Sequence, residues 1–164
     1  MWKGMVIIMQ EHEKKGLLRL FFFLYIVILI KLIIFKYPWD YLMNIARNWE
    51  KGVIWEGLST ANFTLGKSIR MYIRYFPGLN GVENLFGNIL AFVPYGFLLP
   101  LCWKNLGKWW KVFFWSMVLV LGIEFFQLFS AFGAFDVDDI LLNVAGAMTG
   151  YLVYKIFYGR AVKS

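Results

Sequence analysis

The chain has 164 residues, of which 60% are hydrophobic, 21% aromatic and only 16% charged; soluble domains run about half apolar and about a quarter charged. That excess of Phe, Trp, Leu and Ile excludes a soluble globular domain, a disordered chain and a nucleic-acid-binding module, and leaves an integral membrane protein. The formal net charge of +7 comes from 17 Lys and Arg against 10 Asp and Glu, and the basic residues mostly flank apolar runs, as topology control and contact with anionic lipids require.

The first apolar run is Leu17 to Phe35, with Arg19 and Lys31 near its ends. Both can snorkel toward headgroups, and the run is long enough to cross a ~30 Å hydrocarbon core as a helix. Lys36-Tyr-Pro-Trp-Asp40 follows it and lacks the small residues of a cleavage site, so a retained helix is expected rather than a signal peptide. Residues 36–83 form a long, aromatic connection. Within it Ile69, Tyr72, Ile73 and Phe76 recur at helical spacing, and Lys67, Arg70 and Arg74 share another side of the same wheel. The spacing predicts a basic amphipathic helix over 67–76, lying in the membrane interface. It is either an anchor on anionic headgroups or a phosphate clamp.

A second span is expected over 85–102, where Pro94 and Pro100 should kink the helix or break its end. A third covers 112–132 and a fourth 140–158. The expected fold is therefore all-α: one polytopic membrane bundle of about four transmembrane helices plus the interfacial helix. Lys3, Lys14 and Lys15, then Lys104, Lys108 and Lys111, then Lys155, Arg160 and Lys163 fall on one side of this topology. The connection Gly133 to Asp139 has three Asp and no Lys or Arg. Both termini are accordingly expected in the cytoplasm, with 36–83 extracytoplasmic despite its six basic residues, Lys36, Arg47, Lys51, Lys67, Arg70 and Arg74.

Polar groups inside apolar spans carry the functional signal, because a charge at mid-span costs on the order of 2.5 kcal/mol or more unless it is paired, protonated or hydrated. Glu124 and Gln127 share nearly one helix face, as do Asn84 with Asn88, and Asp136, Asp139 and Asn143. The topology brings all three sets to the same end of the bundle. Each set has a plainer explanation. Asp136 can be a helix N-cap. Asn88 and Asn143 can be interhelical hydrogen-bond glue, and Gly146-Ala-Met-Thr-Gly150 reads as a close-packing stripe. Glu124, Asp136, Asp138 and Asp139 offer hard oxygen ligands, but no calcium-loop spacing and no His or Cys pair accompanies them. No metal and no cofactor is expected. Cys102 is the sole cysteine, which excludes an internal disulfide. Phosphate-loop, dinucleotide, serine-elbow and zinc-helix motifs are all missing from the sequence.

Asn84-Leu-Phe-Gly-Asn88-Ile-Leu-Ala-Phe-Val-Pro94-Tyr-Gly96-Phe-Leu-Leu-Pro100, then Glu124-Phe-Phe-Gln127, then Phe135-Asp136-Val-Asp138-Asp139-Ile-Leu-Leu-Asn143-Val-Ala-Gly146 with Gly150, resemble in order and spacing the VanZ-like membrane proteins. The resemblance covers about 84–156, with a weaker echo at Asn62-Phe63. It implies an association with low-level teicoplanin resistance, the property of the family's founder. The family often carries an Arg three residues before the first Asp, where this chain has Gly133. That removes the family's cationic partner for Glu124 or Asp136, and leaves two expectations: Arg70 or Arg74 of the outer connection takes its place, or the site is altered.

Two functional readings follow. The leading one is a non-enzymatic protein that binds a lipid-linked cell-wall precursor or a lipoglycopeptide at the outer leaflet. Asn84, Asn88, Gln127, Asn143, Arg70 and Arg74 would bind the ligand beside Glu124, Asp136 and Asp139, and membrane lipids would be the surrounding partners. The alternative is an intramembrane enzyme acting on an envelope lipid or glycan, with Glu124 as acid or base and Asp136 and Asp139 orienting the substrate.

Overall fold

The computed structural model describes residues 2–34, 38–47, 49, 52–74 and 79–159. Seven α-helices occur among them, α1 (Trp2–Ile34), α2 (Trp39–Arg47), α3 (Gly52–Thr60), α4 (Lys67–Arg74), α5 (Leu79–Cys102), α6 (Trp109–Ser130) and α7 (Val137–Tyr158), with one short 3-10 helix at Lys104–Leu106 between α5 and α6. Four segments are long and apolar enough to cross a membrane: Glu13–Ile33, Asn84–Cys102, Trp109–Ser130 and Val137–Tyr158. The fold is all-α, as expected. Helix α1 extends well before the first expected apolar run, and α5 begins six residues before the expected second one.

Helix α1 presents Leu17, Phe21, Phe23, Leu24, Val27, Ile28 and Leu32 outward, which suits a lipid-facing surface. Its buried seam is Phe22 and Leu29, one heptad apart. The Tyr25 hydroxyl on the same side donates to the Ala91 carbonyl of α5 at 2.6 Å. This bond ties the first span to the second where hydrocarbon offers no competing water.

Helices α5 and α7 form the tightest pair. A Cβ on Gly96 would lie 1.7 Å from the Ala147 carbonyl oxygen, one on Gly146 would lie 2.1 Å from that of Ile89, and one on Gly150 would lie 1.9 Å from that of Val93. The two backbones meet through three glycines, so the Gly146–Gly150 stripe is the helix-packing device its spacing suggests. Helix α5 runs on through Pro94 and Pro100 and ends two residues past the second. Helix α6 stops where Ala131 takes a left-handed conformation (φ 58°), and its N–H returns to the Gln127 carbonyl at 3.0 Å.

The first connection holds more structure than the sequence suggests. Three helices occur in it, not one. Helix α3 packs on α6 where Gly57 leaves room, since a Cβ there would lie 2.6 Å from the Leu128 carbonyl oxygen. The expected amphipathic helix is α4, described over Lys67–Arg74; Tyr75 and Phe76 fall outside the described residues. Instead of standing alone, α4 packs against the start of α5 and of α7.

Candidate functional site

The site is built where α6 gives way to α7. Asp136 caps α7, its carboxylate accepting from the Asp138 N–H at 2.8 Å. The same carboxylate accepts from the Asn62 amide at 2.8 Å and from the Ser68 hydroxyl. Asn62 is held there by a short parallel bridge: its N–H donates to the Phe135 carbonyl at 2.8 Å, and its own carbonyl accepts from Val137 N–H at 3.0 Å. Asn62 also folds its side-chain oxygen back onto the Thr64 N–H at 3.0 Å. That turn starts the approach to α4.

Asp138 is fully buried. Its carboxylate accepts from the backbone N–H of Gly66 at 2.6 Å, Ser68 at 2.8 Å and Ile69 at 3.2 Å. These are donors that the first turn of a helix leaves without intrahelical partners. A carboxylate from α7 thus caps α4 across 72 residues of sequence and favours its positive N-terminal end. Gly66 has φ +81°, a conformation that other residues adopt only with strain, and this presents its N–H to the acid.

Glu124 is 1% exposed at the α6 side of the same junction. Its Oε2 accepts from the Asp136 N–H at 2.9 Å. Asn88 of α5 donates to Asp139 at 2.7 Å. Gln127 is buried, and its amide reaches the Ile33 carbonyl of α1 at 3.4 Å. Asn143 is 2% exposed, and its side-chain oxygen has no hydrogen-bond partner among the described residues. Asn84 lies at the exposed rim of α5. Asn88 with Asp139 and Glu124 with Asp136 therefore meet at one junction, while Gln127 turns to α1 and Asn84 to the exposed rim.

Arg70 and Arg74 sit differently from expectation. Neutral donors hold the Asp136 carboxylate, and Glu124 is bonded to a backbone N–H. Neither bond involves a guanidinium. The reason is the helix wheel: Ser68, Ile69 and Tyr72 turn inward, while Lys67, Arg70 and Arg74 fall on the exposed side. There, with Thr64, Leu65 and Met71, they line a recess of about 370 Å³. On the inward side, burial pushes the Tyr72 phenol up, and the carboxylates of Asp139, Asp136, Asp138 and Glu124 push the same way. Among the described residues, no group of three or more His, Cys, Asp or Glu is placed to hold a metal ion.

The sequence gives no sign of the roles of Gly66 and Ser68 in this assembly, and names Asp138 and Tyr72 without placing them in it. Asp138 reads as one more acid in a short acidic run. Ser68, Gly66 and Tyr72 are ordinary residues until α4 is placed on α7. Asn62 also gave a signal, as the weak echo in the first connection.

Four spanning helices with a polar, hydrogen-bonded junction at one end define a polytopic helical membrane protein. The chain belongs to the VanZ/LLP1 family, whose model matches residues 22–158. It is similar to "Protein VanZ" of Enterococcus faecium, with 31% identity over 81 residues, 49% of this chain and 50% of that protein. The match therefore spans about half the length of that relative. No solved structure matches the chain.

Proposed function

We propose that this protein binds a lipid-linked cell-wall intermediate at the outer leaflet and thereby alters susceptibility to teicoplanin-type glycopeptides. One observation carries the reading: Asp138 latches the basic helix α4 onto the polar junction. The Lys67, Arg70 and Arg74 recess and the Asn143 carbonyl thus belong to one end of one bundle. Guanidinium and ammonium groups suit a lipid phosphate, and the Asn143 side-chain oxygen, a buried acceptor without a hydrogen-bond partner among the described residues, suits a sugar hydroxyl or peptide N–H. Of the two ligand classes weighed from the sequence, the phosphate-bearing lipid fits the recess better than a drug amine. The basic residues Lys14, Lys15, Lys104, Lys108, Lys111 and Lys155 flank the other end, which favours an outward-facing junction with both termini inside.

The test is expression in a glycopeptide-susceptible Gram-positive host. The wild-type chain is expected to raise the teicoplanin concentration needed to stop growth several-fold, and Arg70→Gln with Arg74→Gln to abolish the rise at equal protein abundance. No difference between wild type and an empty vector would contradict the proposal. Glu124→Gln separates binding from the enzymatic alternative, since Gln keeps an acceptor for the Asp136 N–H but cannot shuttle a proton. Unchanged protection supports binding; loss of protection with the fold intact supports an acid or base.

A further inference from the structure

A second site lies at the opposite end of the bundle, where α5 finishes and α6 begins. A groove of about 540 Å³ opens there between α1, α5 and α6. Its walls are apolar: Phe22 and Ile26 from α1, Leu99 from α5, and Trp115 and Val118 from α6. The Tyr95 hydroxyl donates to the Trp115 carbonyl at 3.2 Å and fixes the α5 wall against the α6 wall. Helix α1 packs mainly on α5 and touches α6 much less, which leaves the groove open along its length. Trp115 and Val118 remain exposed within it.

The mouth of this groove has a different chemistry. Two further lining residues, Trp103 and Asn105, stand in the turn after α5. Each is in contact with a cation. The Arg19 guanidinium lies over the Trp103 ring, 5.8 Å from its centroid. The Lys111 ammonium donates to the Asn105 carbonyl at 2.7 Å. Lys104 and Lys108 are exposed beside them. An apolar slot whose open end is ringed by cations complements one kind of molecule in a membrane, a lipid with an acyl chain and an anionic headgroup. A zwitterionic lipid would fill the slot equally well but would gain less from the rim.

We infer that this groove is a binding site for an anionic phospholipid, with one acyl chain along Phe22, Leu99 and Val118 and the phosphate between Arg19 and Lys111. The site is separate from the junction at the α6–α7 turn and does not depend on the function proposed for it. It is also more than general attraction of Lys and Arg to a charged surface, because the bound lipid is held on two sides by side chains of α1 and α6.

The experiment uses the full chain reconstituted in vesicles of equimolar phosphatidylcholine and phosphatidylglycerol. The protein is extracted in mild detergent, and retained lipids are counted by native mass spectrometry. The expected result is one retained phosphatidylglycerol per chain in clear preference to phosphatidylcholine. Arg19→Gln and Lys111→Gln should each lower its occupancy roughly fivefold. Val118→Trp, an exposed position that a larger ring can fill without entering the core, should remove the retained lipid while the protein stays monodisperse with unchanged thermal stability. Equal retention of both lipids, or occupancy unchanged in the two charge variants, would overturn the headgroup assignment. Retention unaffected by Val118→Trp would overturn the groove.

Discussion

Gly150→Leu is expected to abolish the folded bundle, and Gly150→Ala to destabilise it by about 3 kcal/mol or more. The cause is geometric. The position of a Cβ on Gly150 is 1.9 Å from the Val93 carbonyl oxygen, with the Phe97 backbone nitrogen at 2.9 Å. Neither is a flexible side-chain end, so even a methyl group forces α5 and α7 apart by well over an ångström. Gly146 and Gly96 make the same kind of contact, so the displaced helices lose the whole seam. Gly122 is the control. It lies on an exposed side of α6 with nothing near its Cβ position. Gly122→Ala should be neutral or stabilise by up to about 1 kcal/mol through helix propensity. Unfolding in mixed micelles, followed by circular dichroism, distinguishes the two. Similar stability in Gly150→Ala and Gly122→Ala would show that the α5–α7 contact is looser than described.

The second large effect is expected at Asp138. Asp138→Ala removes the acceptor of three backbone N–H groups at the start of α4, and the loss of hydrogen bonds to a buried charged group costs roughly 3 kcal/mol. The penalty is local, because Asp138 joins α4 to α7 while the glycine seam joins α5 to α7. Hydrogen–deuterium exchange should show α4 and the 62–66 turn losing protection, with α5, α6 and the rest of α7 unchanged. Asp138→Asn keeps one acceptor oxygen and should fall between wild type and Ala. Uniform loss of protection across the bundle would mean that Asp138 supports the core rather than latching one helix.

The legibility of this chain divides by the kind of signal. The four spans were legible because crossing a bilayer demands length and continuous apolarity, and both are local properties. Convergence of Asn88, Glu124, Asp139 and Asn143 was also legible, since antiparallel spans place the end of one beside the start of the next. The Gly146–Gly150 stripe announced a close helix approach, although not that Gly96 would answer it from α5. What was not legible arose in the first connection. Helices α2 and α3 are nine residues each, too short to stand without tertiary support. The partner of α3 is the Leu128 turn of α6, far away in sequence. The expectation that Arg70 or Arg74 pairs with Glu124 or Asp136 failed for a related reason. The basic residues of α4 share one exposed side, but Ile73 of the expected apolar side is exposed as well and Phe76 lies outside the described residues, because which side turns inward depends on Asp138 and Ser68. Asp138 itself was hidden by its neighbours, since Asp136, Asp138 and Asp139 look alike in sequence. Their roles separate only when one caps its own helix, one caps another, and one accepts from Asn88.

In the function proposed above, the latched basic helix and the polar junction beside it form a receptor for a lipid-linked phosphate. Mass spectrometry of the lipids copurifying with the wild-type protein and with the Arg70→Gln, Arg74→Gln double variant tests it most directly. A polyprenyl-linked phosphate species enriched on the wild type, lost from the double variant and retained by Val118→Trp, is the predicted result. Recovery of bulk phospholipid alone, in the same proportions from the wild type and the double variant, would contradict it.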